Sequence, residues 1–351
     1  MNEMKNTPAG AGHEDIWIFA ETNNGTPAPV TAQLIGSAAA LKEELVAAGK
    51  ESTVTAVLFG SGVEAAAKTL IASGAEQVVV VDDPALAVYK PRTWKKALVT
   101  LLQKYQPSIF LLGATPLGRD LAPRAAAALG TGLTADATAL GFDENGQFYQ
   151  TTPAYGGNVL VNIAIPEARP QMATLRVNVF DPLPLDASRT GTVVREEIAI
   201  EDDPAYEVLG SAPKGGGFIP LGEADVIISG GRGIRSKEDL SMLHELADLL
   251  GGQVGCSRPL CDRGWYPHDR QIGQSGETVK PKLIMNIAVS GAMQYTAGMD
   301  KSGCILSINY TENTPVFALS HYAAVNDYRD ILPALIREIR ARRAAKAGAA
   351  E

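Results

Sequence analysis

A loop between a predicted strand and a predicted helix holds the first residues that could do chemistry. Residues 226–228 form a short apolar run, and Ser229-Gly-Gly-Arg-Gly233 follows it directly. Glycines let a backbone approach a ligand closely, a helix start presents unpaired N–H groups, and the Arg232 guanidinium suits a pyrophosphate. The spacing is not the G-x-G-x-x-G of dinucleotide folds, so a glycine-rich turn with a surface arginine explains this loop equally well.

Three more turns of similar composition follow it. They are Gly255-Cys-Ser-Arg258, Gln271-Ile-Gly-Gln-Ser-Gly276 and Val289-Ser-Gly-Ala-Met-Gln-Tyr295. The turns that follow strands should meet at the carboxyl edge of an α/β sheet, where such sheets bind ligands. Four turns with two arginines indicate a large anionic, nucleotide-like cofactor, with ordinary glycine turns as the alternative.

The cysteines and histidines form no convincing site in the sequence. Cys256 and Cys261 have C-x4-C spacing without the second pair that a zinc site needs, and three cysteines are too few for a disulfide framework. His268 and Asp269 are adjacent, but no nucleophile accompanies them. His244 falls on a predicted amphipathic helix, where a surface position is the simpler interpretation. We therefore expect neither a metal nor a catalytic residue.

The elements that must position these turns begin with alternating strands and helices in the first half of the chain. Short apolar runs predict strands at 16–19, 54–59, 78–81 and 109–112. Segments rich in Ala, Leu and Lys predict helices at 31–48, 63–73, 94–105 and 117–129. This alternation is typical of a doubly wound parallel sheet covered on both faces. Residues 131–179, with turn signals at 143–146 and 156–157, predict antiparallel strands that complete the sheet.

A second α/β unit follows a boundary marked by Pro and Gly. After the run at 226–228, periodicity predicts a helix over 237–250 with Ser236 as its N-cap, and a closing helix over 330–342. Later strands are predicted at 283–289, 304–308 and 316–319. The expected organisation is a flexible tail (1–13), an N-terminal α/β domain (14–205), a linker (206–223) with a flexible loop at 212–217, a cofactor domain (224–342) and a second tail (343–351).

Composition narrows the classes of function. The formal net charge is -8, whereas a general nucleic-acid binder usually carries a basic balance, so nucleic acid is not an expected partner. No run approaches the roughly 18 apolar residues of a membrane helix, so no membrane insertion is expected. Residues 1–13 lack the pattern of a signal or transit peptide, and we expect a cytoplasmic protein.

Motifs in both halves of the chain match one known family in order. In the second half they are Gly231-Arg-Gly-Ile-Arg-Ser236, Glu245-Leu-Ala-Asp-Leu-Leu250, the three later turns and Ser307-Ile-Asn309. In the first half they are Gly118-Arg-Asp-Leu-Ala-Pro-Arg124, Gly130-Thr-Gly-Leu-Thr-Ala-Asp136 and Arg169-Pro-Gln-Met-Ala-Thr-Leu-Arg176. The series resembles the electron transfer flavoprotein α subunit (the large-subunit or FixB-like family). It implies two doubly wound α/β domains, the first with added antiparallel strands and the second binding FAD.

The resemblance also implies which residues contact FAD. Arg232 matches an arginine that contacts the phosphates, and Arg258 of the Ser257-Arg258 pair matches one that lies against the isoalloxazine ring. Ser275 replaces a threonine near flavin N5. The other implied contacts are Ile272, Gly273 and Gln274 along the flavin, Ser290, Gly291, Ala292, Met293, Gln294 and Tyr295 at the phosphates and flavin, and Asn309, Asp327 and Tyr328 at the adenosine end. A cation near the ring favours the anionic reduced flavin and raises its potential.

Three departures from the family pattern accompany the match. Tyr295 stands where the family has a histidine; a neutral phenol can donate to the flavin O2 region but carries no charge, so weaker stabilisation of a negatively charged flavin is expected. The strand at 283–286 has Ile284 and Asn286 where the family has Tyr and a small residue. The segments 309–311 and 321–324 also differ. These departures suggest a divergent subgroup with a specialised partner.

The resemblance implies an electron carrier rather than a stand-alone catalyst. The expected partners are an electron transfer flavoprotein β subunit, which forms the heterodimer through contacts with the first domain, and an acyl-CoA dehydrogenase-type flavoenzyme. A quinone reductase or ferredoxin is the family's usual acceptor. One alternative is a subunit of an electron-bifurcating complex that uses NADH and ferredoxin. Another is an FAD-free nucleotide-binding or structural partner.

Overall fold

The computed structural model describes residues 14–23, 25–154, 159–200, 203, 205–210 and 219–348. The chain divides into two units, Met1–Ser211 and Ala212–Glu351, and this division falls within the predicted linker. The predicted tail at 1–13, the turn signal at 156–157 and the loop at 212–217 lie outside the described residues.

The first unit alternates strands and helices over most of its length. Its described elements are β1 (Ile16–Ala20), β2 (Thr22–Asn23), β3 (Thr26–Pro27), α1 (Pro29–Ala47), β4 (Val54–Gly60), α2 (Glu64–Ala72), β5 (Gln77–Asp82), α3 (Pro91–Tyr105), β6 (Ile109–Gly113), α4 (Pro116–Leu129), β7 (Leu133–Ala137), β8 (Ala139–Phe142), β9 (Phe148–Ala154), β10 (Val159–Ala164), β11 (Gln171–Leu175) and β12 (Thr192–Arg195). Every predicted strand and helix of its first 130 residues is present.

The main sheet of this unit is parallel and buried. Its seven strands run in the order β12-β5-β4-β1-β6-β11-β7 within the described residues, and every neighbouring pair is parallel. All residues of β1, β4, β6 and β11 are buried, since helices cover both faces. One face packs Phe19 and Phe59 against Trp94 of α3, with ring centroids 5.5–6.0 Å apart.

Three helices begin a few residues before their apolar periodicity does. Pro29, Pro91 and Pro116 stand in the first turns of α1, α3 and α4, where a missing N–H costs nothing and the fixed φ suits a helix. Thr115 caps α4 by accepting a hydrogen bond from the Gly118 N–H at 3.0 Å. The prolines therefore explain why the observed helices start earlier than the apolar pattern predicts.

The prediction for residues 131–179 is wrong in one respect. The antiparallel strands β8, β9 and β10 form a separate three-stranded sheet, whereas β7 and β11 join the main sheet in parallel. The predicted turn at 143–146 does connect β8 to β9. Alternation and turn signals reveal a local hairpin but not the sheet to which each strand belongs, because that pairing depends on distant residues.

The second unit is built on five parallel strands. Its described elements are β13 (Val226–Gly230), α5 (Leu240–Leu250), β14 (Gln253–Cys256), α6 (Arg258–Asp262), β15 (Leu283–Ile287), α7 (Met293–Thr296), β16 (Cys304–Asn309), β17 (Tyr322–Val325) and α8 (Tyr328–Gly348). The strand order is β14-β13-β15-β16-β17. The helices α5 and α8 pack with the sheet around Ile228, Leu243 and Leu332.

The strand predicted at 316–319 is absent, because Pro315–Leu319 form a turn of 3-10 helix. The strand in this region is β17, whose residues are largely exposed at the sheet edge. Pro315 sits at the first helical position, where its fixed φ favours a helical turn. A four-residue apolar run does not separate these alternatives, and an exposed edge strand carries no continuous apolar signal.

Two helix ends also differ from their predicted positions. The first turn before α5 is tight, with i→i−3 bonds at residues 237–241, so the helix begins at Leu240 rather than at 237. The helix α8 continues to Gly348, into the predicted tail, and residues 349–351 lie outside the described part. Among the described residues, no helix combines the length and the apolar character that a membrane crossing requires.

Candidate functional site

The four turns of the second unit line one cleft at the carboxyl edge of its parallel sheet. The cleft has a volume of about 590 Å³, within the range of small-molecule and cofactor sites. Its lining residues are Arg232, Ser257, Arg258, Pro259, Gln271, Ile272, Gly273, Gln274, Ser275, Val289, Ser290, Gly291, Ala292, Gln294 and Tyr295. Parallel strands end at the same edge, so turns far apart in sequence meet there.

The first turn brings its backbone close to the end of β15. The Gly231 N–H donates to Ile287 O at 2.8 Å, and the Gly233 N–H donates to Ala288 O at 3.2 Å. A Cβ on Gly231 would lie 2.2 Å from Ala288 O, so only glycine permits this approach. Between the two glycines, Arg232 lines the cleft, and no carboxylate among the described residues pairs with it. Its guanidinium is therefore available to an anion.

The second turn leads from β14 into α6. The Ser257 N–H donates to Gly230 O at 2.9 Å, which ties this turn to the end of β13. Arg258 begins α6 and approaches Asp262 at 3.5 Å with both side chains more than half exposed. Since an exposed pair of this kind contributes little, the Arg258 charge remains available to a ligand in the cleft.

The third turn is held against the second and the fourth by backbone hydrogen bonds. The Ile272 N–H donates to Cys256 O at 2.8 Å, and the Gln274 N–H donates to Gln294 O at 2.7 Å. The Ser275 hydroxyl accepts from Gln271 Nε2 at 3.0 Å. That bond uses an oxygen lone pair and leaves the Ser275 proton to be donated elsewhere. A hydroxyl donor to a flavin nitrogen is chemically consistent with this arrangement.

The fourth turn is anchored by the 3-10 turn at Pro315–Leu319. Ser290 O accepts from the Val316 N–H at 3.1 Å and from Thr314 Oγ1 at 3.0 Å. Gly291 has φ +82, and a Cβ there would lie 2.4 Å from Val316 N. The cleft wall at residues 290–295 therefore depends on the 3-10 turn that stands where the sequence predicts a strand at 316–319.

Tyr295 does not donate to the cleft, contrary to the expectation for its hydroxyl. The residue is buried, and its Oη lies 2.6 Å from Asn286 Oδ1 and 2.7 Å from Ser229 Oγ. An amide oxygen only accepts, so the single phenol proton goes to Asn286, and Ser229 donates to the phenol. Burial raises the pKa of Tyr295, which keeps the phenol neutral. The hydroxyl points into the sheet because Asn286 supplies a buried acceptor there.

Four predicted contacts lie outside the cleft lining. Met293 belongs to the fourth turn but does not line the cleft. Asn309 Nδ2 donates to Val289 O at 2.8 Å and so holds the backbone just before the cleft wall at residues 290–295. Asp327 pairs with Arg235 at 2.7 Å, and the Tyr328 hydroxyl donates to Asp239 at 2.7 Å. The Asp327 and Tyr328 side chains thus already hold protein partners.

Three lining residues carry no predicted role, namely Pro259, Gln271 and Val289. Each is adjacent to a predicted contact, and Gln271 and Val289 begin turns that composition alone picks out. Only their position next to predicted contacts could have identified them as lining residues, because side-chain type gives no reason to select a proline or a valine. Gln271 has a role in the structure, since it donates to Ser275.

Two of the cysteines and one histidine have protein partners outside the cleft lining. Cys256 and Cys261 are buried with their sulfurs 3.3 Å apart, and burial raises the pKa of both thiols. His244 Nε2 lies 3.0 Å from the Tyr266 hydroxyl. Among the described residues, no three His, Cys, Asp or Glu side chains come together as metal ligands would.

The donor set of the cleft fits a flavin dinucleotide. Two guanidinium groups can meet phosphate or anionic ring charge, exposed backbone at glycine turns can approach a ligand, and the lining is more apolar than polar. Comparison with known proteins decides between cofactor classes. Residues 16–201 match the electron transfer flavoprotein domain, and residues 220–300 match the electron transfer flavoprotein FAD-binding domain.

The chain belongs to the electron transfer flavoprotein α-subunit family. It is 44% identical over 329 residues to an electron transfer flavoprotein subunit alpha of Thermoanaerobacterium thermosaccharolyticum, covering 93% of this chain and 98% of that protein. It is 40% identical over 334 residues to the subunit alpha of Megasphaera elsdenii, covering 94% and 97%. It is 39% identical over 330 residues to the lactate dehydrogenase (NAD(+),ferredoxin) subunit LctC of Acetobacterium woodii, covering 93% and 77%.

The family match agrees with the position of the cleft. Every lining residue, from Arg232 to Tyr295, falls within the matched FAD-binding domain. The expected cofactor, FAD, and the two-domain α/β fold are therefore confirmed. Asn309, Asp327 and Tyr328 lie beyond the matched residues, as well as outside the cleft lining.

Proposed function

We propose that this electron transfer flavoprotein α subunit carries its FAD in the cleft of the second unit and relays electrons between a flavin dehydrogenase and a redox acceptor. The observation that carries the proposal is the convergence of four sequence-distant turns on one cleft, all within the FAD-binding domain. FAD supplies the redox chemistry when bound. The chain supplies the binding, the orientation and the charge around it.

Specific roles follow from the positions of the polar side chains. Arg232, which has no acidic partner among the described residues, is proposed to hold the phosphates. Arg258 is proposed to place a positive charge beside the ring, where it stabilises the more negative reduced form. The Ser275 hydroxyl, already accepting from Gln271, is proposed to donate its proton to an acceptor nitrogen of the oxidised ring.

Membership of the family supports a β-subunit partner. The proposed assembly is a heterodimer in which the first unit contacts the β subunit and a dehydrogenase of the acyl-CoA type donates electrons. A quinone reductase or ferredoxin is the proposed acceptor, and a cytoplasmic location is part of the proposal.

A relative favours a second candidate, electron bifurcation. The LctC protein is named as a subunit of a dehydrogenase that uses NAD(+) and ferredoxin. An α subunit of similar sequence could serve a complex in which NADH is the donor and ferredoxin is one acceptor. The FAD-free alternative is not favoured, because the chain keeps Arg232, Arg258 and Ser275 at the cleft.

Counting the flavins in the complex with the β subunit tests these three hypotheses. One FAD per heterodimer without reduction by NADH would support the simple carrier, and two FAD with reduction by NADH would support bifurcation. A complex without bound flavin, even after incubation with FAD, would contradict both and leave the FAD-free alternative.

A further inference from the structure

Three buried polar side chains form a row across the parallel sheet of the second unit. Ser229 of β13 is in register with Asn286 of β15, which is in register with Ser307 of β16. All three have 0% exposure. In-register residues of neighbouring strands point to the same face, so these side chains form a row. Buried parallel strands are normally almost continuously apolar, and burying polar groups costs stability unless each is hydrogen-bonded.

The hydrogen bonds of this row have a defined direction. Tyr295 donates to Asn286 Oδ1, and Asn286 Nδ2 lies 3.2 Å from Ser307 Oγ, which therefore accepts. Ser320 Oγ lies 2.8 Å from Val316 O and 2.7 Å from Ser307 Oγ. Val316 O can only accept, so Ser320 donates to it and Ser307 donates to Ser320. The chain of bonds thus runs from Tyr295 through the sheet to Val316.

This chain returns to the cleft wall from which it started. Val316, its last acceptor, donates its own N–H to Ser290 O at 3.1 Å. The wall segment 290–295 is therefore held at its beginning by Val316 and at its end by the Tyr295 hydroxyl. Five of its six residues line the cleft, namely Ser290, Gly291, Ala292, Gln294 and Tyr295. A network inside the sheet connects both ends of a cofactor-facing wall.

We propose that Asn286 and Tyr295 are a matched pair of positioning residues that fix the 290–295 wall of the FAD site from within the sheet. The pair acts on FAD through the wall and not through a direct bond from the phenol. This inference rests on the proposed function, because it assigns the pair a role toward FAD bound in the cleft. It also gives a physical reason for finding asparagine and tyrosine together, since each supplies the partner that the other needs when buried.

Removing either partner should loosen the wall to a similar degree. Tyr295→Phe leaves Asn286 Oδ1 without its donor, and Asn286→Ala removes the amide acceptor of the buried phenol and leaves Ser229 Oγ as its remaining partner. A buried polar group without a partner destabilises the conformation that contains it. When the binding-competent conformation is less populated, the apparent dissociation constant rises by the same factor. We expect each single substitution to raise the FAD dissociation constant about tenfold.

The double variant provides the decisive comparison. Tyr295→Phe/Asn286→Ala removes donor and acceptor together, so its FAD dissociation constant should rise about tenfold rather than the roughly 100-fold of independent effects. The measurement is FAD titration of the full chain with its β subunit, well below the thermal midpoint. The visible absorption spectrum of bound FAD should shift alike in the two single variants and should shift no further in the double variant.

The matched control is Tyr266→Phe, which removes a phenol hydroxyl bonded to His244 outside the cleft lining. It should leave both the FAD dissociation constant and the spectrum unchanged. A change as large as that of Tyr295→Phe would contradict a specific role for the pair. If Asn286→Ala does not fold, Ser320→Ala tests the outer end of the network and should raise the dissociation constant about threefold; a wild-type value would overturn the proposal.

Two outcomes separate this inference from the proposed function. A wild-type complex that holds no FAD would contradict the proposed function itself. If the complex binds FAD, two results would overturn only the matched pair. The first is a pair of effects on the dissociation constant that multiply in the double variant. The second is a higher dissociation constant for Tyr295→Phe without one for Asn286→Ala. The second result would instead mean that the phenol acts directly on the cofactor.

Discussion

Arg258 is the side chain that we propose to place a positive charge beside the flavin ring. It begins α6, lines the cleft and has a weak exposed partner in Asp262. A positive charge near the ring lowers the free energy of the reduced, more negative cofactor. The proposed role of Arg258 is therefore to set the reduction potential of FAD and not to take part in a reaction step.

Replacing Arg258 by glutamine should lower the two-electron reduction potential of bound FAD. The expected shift is about 30 mV, which corresponds to about 1.4 kcal/mol for a two-electron couple. Spectroelectrochemical titration of the complex measures it. Arg263→Gln is the matched control, since Arg263 stacks over Trp265 at 5.0 Å and does not line the cleft. Equal shifts in both variants would show that the effect is general charge and not position.

Glu21, directly after β1 in the first unit, is a carboxylic acid whose pKa is strongly raised by burial. Burial raises the pKa of its carboxyl to about 7, and the hydrogen bond that Thr115 Oγ1 donates at 2.7 Å lowers it only in part. The glutamate carboxyl of an unfolded chain has a pKa of about 4.3. The folded state thus binds this proton more tightly, so stability is highest below about pH 4.3, falls as the pH rises to about 7, and is level above it.

Glu21→Gln should remove that loss. The amide oxygen can still accept from Thr115, and the variant should gain up to about 3 kcal/mol in the free energy of unfolding near pH 8 but much less near pH 5. Chemical denaturation at the two pH values measures the difference. The control is Glu44→Gln on the exposed face of α1. A gain that is the same at both pH values would mean that the carboxyl titrates normally.

At the scale of elements, the cleft depends on turns that approach each other more closely than side chains allow. Gly291 and Gly251 both have positive φ, at +82 and +66, but their surroundings differ. A Cβ on Gly291 would meet Val316 N at 2.4 Å, whereas a Cβ on Gly251, after α5, would have nothing within 4 Å. Alanine substitutions at Gly291 and Gly251 therefore separate the cost of backbone strain from the cost of disturbed loop packing within one unit.

Gly251→Ala should cost about 1 kcal/mol of stability, the ordinary cost of an alanine in the left-handed region. Gly291→Ala should cost at least about 2 kcal/mol more, since the 3-10 turn at Pro315–Leu319 must also shift. It should weaken FAD binding as well, whereas Gly251→Ala should not. Thermal unfolding and FAD titration of both variants test this expectation, and equal losses in the two would contradict the packing argument.

For the whole molecule, cofactor binding should stabilise the second unit through linkage. FAD at about 100 times its dissociation constant adds about 2.7 kcal/mol to the free energy of any opening that releases it. Hydrogen exchange should therefore slow in the turns at 231–233, 257–258, 271–276 and 290–295 when FAD is added to the complex. Strands β4 and β5 of the first unit provide the internal control. Unchanged exchange in all four turns would place FAD elsewhere.

Much of the site was open to prediction from sequence because its signals are local. Glycine and arginine in short loops after apolar strands give the four turns, and apolar periodicity gives the helices of both units. The contacts predicted at the adenosine end depend on the resemblance alone. In the structure, Asp327 and Tyr328 bond to Arg235 and Asp239, which lie about 90 residues away in sequence.

The flavin site is the clearest example of what each level determines. The sequence by itself determined the parallel α/β architecture and the four cleft turns, since alternating apolar periods and glycine positions are properties of short segments. The tertiary structure alone decided that β8 to β10 form their own sheet and that Pro315–Leu319 support the cleft wall. It also turned the Tyr295 hydroxyl toward Asn286 and away from the cleft. Hydrogen-bond direction depends on which partner is in reach, and only the folded chain brings those partners together.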